Sequence, residues 1–299
     1  MLDPAFLSRL EKLALRSRSR AAGVRQGGHT SRRRGQSLEF ADHREYVPGD
    51  DIRHLDWHLY ARLDTLFVKL FEAREDRTVQ ILLDRSASMS GAKWDAARKA
   101  AAAVAWASLC SLDRVQLFVA DRGLRAEGRA ARGRGAIHRI FRFLERTGAA
   151  GGTDLLRVSK GLPPARAGAI TVVISDLWDP NGVDDALKRL AHRGGELHVL
   201  HIVDRRELDP THLTGDLTLV DAESGAELNV SVDKQIRDSY RAAAQGYLDH
   251  VADLCARRNI GTFRLDSAGD VEERLIDWLR AADDLVRRQG ASRVGGLRR

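Results

Sequence analysis

Val79-Gln80-Ile81-Leu82-Leu83 is a short apolar run that breaks off at Asp84-Arg85-Ser86-Ala87-Ser88. A run of this length without polar alternation reads as a strand buried on both faces, and the polar stop reads as the loop at its carboxyl end. Downstream, Lys93 to Leu112 is alanine-rich with large apolar residues at Trp94, Val104, Trp106 and Leu109, which predicts a helix. Arg114 to Ala120 follows as the next strand, so one βαβ unit is complete. The alternation continues with helices over Ala136 to Arg146 and Asp154 to Lys160, then a second continuous strand, Ile170 to Ile174, that stops at Ser175-Asp176. Val183 to Ala191 (helix), Glu196 to Val203 (strand), Lys234 to Arg258 (helix), Thr262 to Leu265 (strand) and Val271 to Leu285 (helix) finish the series. The fold class is therefore α/β, a doubly wound, mostly parallel sheet with helices on both faces.

One stretch departs from this rhythm. Leu217 to Val220 and Leu228 to Val232 flank Asp221-Ala222-Glu223-Ser224-Gly225-Ala226, which predicts a β-hairpin, placed here at the edge of the sheet. Phe6 to Leu15 carries apolar residues at near-helical spacing and reads as a short amphipathic helix packed on its own domain. Gly23 to Gly35 lacks periodicity and reads as an exposed connector. The expected organisation is an N-terminal helix and charged segment over 1–76, an α/β domain over 77–288 with the hairpin near 215–232, and a basic tail over 289–299.

The net charge of +7 on 299 residues is uneven. Residues 1–40 carry +6 and the tail from Arg287 carries +5, which leaves −4 on everything between them. A phosphate-binding domain is expected to show a basic face on its folded body, so the composition argues against nucleic acid except through the ends. The longest apolar or small stretch, Ala100 to Leu112, is well short of the roughly 20 residues of a membrane span. Met1-Leu2-Asp3-Pro4 does not open like a secretory signal, and Cys110 and Cys255 form no Cys-x-x-Cys pair, so a reducing cytoplasm is expected. Contact with a membrane surface through the first helix stays a minor alternative.

Ligands of an open parallel sheet bind beyond the carboxyl ends of its strands. Asp84, Ser86 and Ser88 follow the first strand at alternate positions, Thr153 stands in a Gly151-Gly152-Thr153-Asp154 loop that opens a helix, and Asp176 closes the strand Ile170 to Ile174. Two carboxylates and three hydroxyls form an all-oxygen donor set suited to Mg²⁺ or Mn²⁺, which tolerate retained waters, rather than to zinc. The competing reading is a metal-free loop network in which the hydroxyls cap helices.

Asp84-x-Ser86-x-Ser88, Thr153 after two glycines and Asp176 after an apolar strand resemble the metal-ion-dependent adhesion site of von Willebrand factor A domains. The resemblance implies that these five residues hold the cation, directly or through water, while an acidic residue of a partner completes the shell. Arg85, a cation inside the loop, and Ala87, where glycine is often found, depart from the pattern. Upstream, Gly35 to Phe40, Asp42-His43-Arg44-Glu45-Tyr46-Val47-Pro48-Gly49-Asp50-Asp51-Ile52-Arg53, Asp56-Trp57, Ala61-Arg62 and Phe67 to Lys69 resemble the bacterial "domain of unknown function 58" family. That resemblance covers the chain from about residue 28 to the final helix. It implies an adaptor or chaperone-like role beside a MoxR-type AAA+ ATPase.

Pro48-Gly49-Asp50-Asp51 is a turn sequence, and Arg44, Arg53 and Arg62 with Glu39, Asp42 and Asp56 allow several bidentate ion pairs in a loop-rich stretch without a clear core face, which reads as structural, with a partner-docking surface as the alternative. His54 and His58 stand four apart, but Leu55 occupies the place of the glutamate that a helical zinc-protease motif uses. No Gly-x-Ser-x-Gly elbow and no glycine-lysine phosphate loop occurs, so serine hydrolysis and ATP hydrolysis lack their usual machinery. The expectation is a non-enzymatic, metal-dependent protein-interaction module without a small-molecule substrate. A phosphohydrolase with Asp84 as nucleophile is the alternative, although Ser86 stands where such an enzyme needs a second acid.

Overall fold

Strand β3 (Thr78–Asp84) sends Ile81 and Leu83 to one face of its sheet and Leu82 to the other, and all three are fully buried. A strand whose two faces are both apolar needs cover on both sides. The computed structural model, which describes residues 2–22, 37–74, 77–165 and 168–281, provides it. Six strands lie in the order β10 (Gly261–Asp266), β7 (Glu196–Val203), β6 (Ile170–Ser175), β3, β4 (Arg114–Ala120), β5 (Leu124–Ala126). Five are parallel and β5 is antiparallel at the edge.

Helix α1 (Pro4–Ala22), α3 (Ala92–Cys110), α4 (Ile137–Arg146) and a helix over 271–281, α9, share a core with Ile81, Leu83, Leu117, Ile174 and Leu200. Helices α5 (Leu155–Gly161), α6 (Asp184–Ala191) and α8 (Lys234–Arg257) pack with Leu82, Phe118, Val173 and Val199 on the other face. Seven alanines of α3 are buried, so this helix lies under cover on nearly every side. Phe6 and Leu10 of α1 are buried, and Trp106 Nε1 donates to the Leu7 carbonyl oxygen at 3.0 Å. The first helix is thus packed on the α/β body through its amphipathic face.

The doubly wound α/β class read from the sequence is the observed one, and two details differ. The three-residue edge strand β5 carries no readable alternation and was not expected. The hairpin, β8 (Gly215–Val220) with β9 (Glu227–Val232), does not extend the sheet; it forms a separate two-stranded ribbon. Of the described residues in its two strands only Val232 is buried, so neither face is apolar enough to dock along β10.

The chain divides into two compact units, Met1–Ala14 with Arg77–Arg299 and Leu15–Asp76. The start of α1 thus groups with the α/β body instead of with the segment that follows it. In the second unit β1 (Ser37–Glu45) pairs antiparallel with β2 (Phe67–Arg74), and Glu45 faces Phe67. Between them come a turn closed by the Asp50 N–H on the Val47 carbonyl oxygen, a single 3₁₀ turn at Ile52–His54, and α2 (Trp57–Leu63). This corrects the expectation of loops: the charges of β1 fall on both strand faces and hide its period. The ion pairs differ as well. Arg44 holds both oxygens of Asp50, Arg53 holds both of Asp51, and Asp56 meets His43 Nε2 at 2.9 Å and Lys69 Nζ at 3.3 Å. Asp56 also caps α2 through the His58 and Leu59 N–H groups, so His58 enters through its backbone. The connector read at Gly23 to Gly35 and the basic tail from 289 lie outside the described residues.

Candidate metal centre

From β3 the chain runs through α3 to β4 on one side, whereas β6 lies on the other. The carboxyl ends of β3 and β6 therefore flank the topological switch point, the crevice where an open α/β sheet binds ligands. Asp84 and Asp176 stand at those two ends, and both are buried.

Backbone bonds stitch the surrounding loops together. The Ala87 N–H donates to the Gly151 carbonyl oxygen at 2.9 Å and the Ala150 N–H to that of Arg85 at 2.6 Å, which ties the first loop to the Gly-Gly-Thr loop. The Leu155 N–H donates to Asp179 Oδ2 at 2.8 Å, which ties the latter to the loop after β6. Gly151 has φ +89°, a left-handed conformation that favours glycine. Leu177, fully buried and next to Asp176, has φ +60° and no such freedom. It is held there by its N–H on Ser175 Oγ at 2.9 Å and by the Tyr247 hydroxyl on its carbonyl oxygen at 2.6 Å. Strain of this kind persists only where the surroundings over-determine it, and it gathers at functional sites.

Asp84, Ser86, Ser88 and Asp176 gather at this crevice, and Thr153 stands in the Gly-Gly-Thr loop that backbone bonds tie to the first loop. Asp84 Oδ1 accepts the Ser86 N–H at 2.9 Å and Oδ2 accepts the Ser175 hydroxyl at 2.6 Å. Burial first, and then the charge of Asp176, push the Asp84 carboxyl up to about 6. Ser86 Oγ and Ser88 Oγ lie 2.9 Å apart, and Ser86 makes no side-chain capping bond to the turn that follows it. The hydroxyls face one another instead of a helix end. Thr153 is buried, and both its hydroxyl and its N–H donate to Glu223 at 2.8 Å.

The residues present fit a hard dication. The donors are all oxygen, two buried carboxylates repel each other, the Ser86 and Ser88 hydroxyls stand beside Asp84 uncommitted to helix caps, and the Thr153 hydroxyl is held by Glu223. Among the described residues no group of three or more His, Cys, Asp and Glu gathers for a metal.

In the sequence reading, four of the contributors have no place in the site. Lys93, 3% exposed at its side chain, donates to Asp176 Oδ2 at 2.8 Å and to Glu207 at 2.7 Å. Burial pulls its ammonium down, but Asp176 and Glu207 more than offset this and raise it. Glu207 stands in α7 (Arg205–Leu208), just after β7. His201 Nε2 meets the Asp176 carbonyl oxygen at 3.0 Å, and burial lowers the ring to about 4. The neutral ring then carries its proton on Nε2, because a carbonyl oxygen only accepts. Glu223 is the fourth. A lysine in the first turn of an alanine-rich helix gives no local sign of a site; only the fold brings it under Asp176. Arg85, by contrast, turns away: its Nε donates to the Gly148 carbonyl oxygen at 3.0 Å and it lies 3.7 Å from Asp121. The cation beside the candidate ligand Asp176 is Lys93.

A family model described as "Protein of unknown function DUF58" matches residues 42–247. The chain belongs to the DUF58 family. All five candidate ligands fall within the DUF58 match. Uncharacterized protein Rv1480 of Mycobacterium tuberculosis is 28% identical over 304 residues, covering 99% of this chain and 92% of its own length. Uncharacterized protein MAV169 of Mycobacterium avium is 32% identical over 89 residues, 30% of this chain and 52% of its own. Among solved structures, BatB of Bacteroides thetaiotaomicron aligns with a TM-score of 0.43 at 14% identity, over 71% of this chain and 99% of its own. A von Willebrand factor type A protein of Catenulispora acidiphila aligns with a TM-score of 0.40 at 16% identity, over 72% and 44%. Among the described residues of this DUF58 chain no helix is long and apolar enough to cross a membrane.

Proposed function

We propose that this DUF58 protein is a non-enzymatic, metal-dependent protein-interaction module. In this reading Mg²⁺ or Mn²⁺, held by Asp84, Ser86, Ser88, Thr153 and Asp176, offers an open position to an acidic side chain of a partner. The observation that carries it is the pair of buried carboxylates on neighbouring strand ends, with the Ser86 and Ser88 hydroxyls beside them and the Thr153 loop tied to the same first loop. The bound cation would supply the positive charge and the vacant position that capture the acid. The chain's own residues do the rest: Ser175 and the Ser86 N–H aim Asp84, while His201, Trp178 and Lys93 hold Asp176. The family resemblance supplies the partner class, a MoxR-type AAA+ ATPase or its client, beside which the protein would act as an adaptor or co-chaperone.

The phosphohydrolase alternative draws less support. Ser86, at the place of the acid-base residue, carries no carboxylate and is fully buried. Calorimetric titration of Mg²⁺ and Mn²⁺ into the wild type and Asp84→Ala, alone and with a MoxR-type ATPase present, tests the reading. Metal binding lost in the variant, and ATPase affinity raised by metal only in the wild type, is the expected result. No metal binding by the wild type sinks it.

A further inference from the structure

Residues 204–233 depart from the β-α alternation, and this insertion reaches the metal crevice at two points. Glu207 meets Lys93, and Glu223, at the hairpin turn, clamps Thr153 with both carboxylate oxygens. The turn is built to present that carboxylate: Asp221 Oδ1 accepts the N–H of Ser224 at 2.6 Å and its hydroxyl at 2.5 Å. Gly152 leaves the room. A Cβ there would stand 3.2 Å from Glu223 Oε2 and 2.8 Å from Arg122 Nε. The rest of the hairpin is lightly held, because Val232 is its only buried strand residue, and Leu219, Val220 and Leu228 lie exposed. Elements with so little buried apolar surface open at low free-energy cost.

We infer that Glu223 is a tethered ligand of the crevice: its carboxylate takes the place that an acidic residue of a partner must enter, and keeps the site closed until the hairpin is displaced. This rests on the metal-dependent reading above and adds its regulation. The chemistry is shared, since a carboxylate already held against one candidate ligand, Thr153, is the same group that a partner would bring. An intramolecular ligand of this kind lowers the apparent affinity for an external acid by the fraction of molecules in which the site is closed.

Manganese supplies a direct readout, because each water bound to Mn²⁺ enhances solvent proton relaxation. Relaxivity per bound Mn²⁺ is to be measured for the wild type, Glu223→Gln, Asp221→Ala and Asp84→Ala, with occupancy fixed by calorimetry. The expected result is a gain of one coordinated water in Glu223→Gln, with Asp221→Ala shifted in the same direction because its turn no longer presents the carboxylate. Equal relaxivity in the wild type and both hairpin variants, with Mn²⁺ binding still abolished in Asp84→Ala, overturns the tether and leaves the metal reading intact. Absence of Mn²⁺ binding in the wild type overturns both.

Discussion

Lys93 Nζ lies 2.8 Å from Asp176 Oδ2 and 2.7 Å from Glu207, so one buried ammonium bridges a candidate ligand and the insertion that follows β7. Two acids share a single compensating charge, and any dication in the crevice shares Asp176 with it.

Lys93→Met keeps most of the buried volume and removes that charge. Breaking a buried pair from one side leaves an uncompensated carboxylate, which costs about 3 kcal/mol or more. Urea unfolding in chelator is expected to show that loss. Added Mg²⁺ is expected to restore part of it, and to stabilise Lys93→Met more than the wild type. An equal Mg²⁺ effect on both proteins would separate the lysine from the metal.

Two buried groups titrate in opposite senses without metal. The Asp84 carboxyl is raised to about 6, so its neutral form favours the fold; that contribution is complete below its ordinary value of 3.8 and is lost as pH rises to about 6. The His201 ring is lowered to about 4, so its contribution is present above 6.5 and is lost as pH falls to about 4. The slopes oppose each other between about 4 and 6. Asp84→Asn is expected to unmask the histidine, with stability falling toward acid, and His201→Gln to unmask the aspartate, with stability rising. Urea midpoints across pH 4 to 7 in chelator measure both. Parallel curves for the two variants would refute the assignment.

Metal binding should follow the same carboxyl. Below about 6 a cation must displace the proton of Asp84, so apparent Mn²⁺ affinity is expected to fall about tenfold per pH unit there and to level off above it. Calorimetry at pH 5, 6, 7 and 8 checks it. Affinity independent of pH from 5 to 8 would remove Asp84 from the ligand set.

The same residues mark what was legible in the sequence. Val79 to Leu83 and Ile170 to Ile174 announce themselves as strands because burial on both faces leaves a single polar residue in each, Gln80 and Thr171, and the acids that end them fall at the switch point by topology alone. Asp84, Ser86, Ser88 and Asp176 could be named as candidates because they stand at or just beyond strand ends, and Thr153 because its Gly-Gly-Thr loop opens a helix. Lys93, His201 and Ser175 lie inside or at the ends of regular elements whose periodicity is satisfied without them, and they acquire a role only when β3, β6, β7 and α3 meet. Glu223 could be placed in a turn, but the direction of that turn is set by the ribbon's failure to join the sheet. In the second unit, charge on both faces of β1 concealed a strand that backbone pairing with β2 makes plain.

The alanines of α3 are the last point at which packing and site are joined. Ala96, Ala97, Ala100 and Ala101 are all buried, and their small side chains let α3 lie close over Ile81 and Ile174 while Lys93, on its first turn, reaches under Asp176. Ala101→Leu adds three carbons where there is no space, so it is expected to cost about 1–3 kcal/mol by forcing the helix outward. Ala107→Leu, on the half-buried side of the same helix, is expected to stay within about 0.5 kcal/mol of the wild type. Because the outward shift also draws Lys93 from Asp176, Ala101→Leu should change the Mg²⁺ dependence of stability in the direction of Lys93→Met, and Ala107→Leu should not. Urea midpoints of the three variants with and without Mg²⁺ decide this. A destabilised Ala101→Leu with an unaltered Mg²⁺ response would show that the helix can move without releasing its lysine.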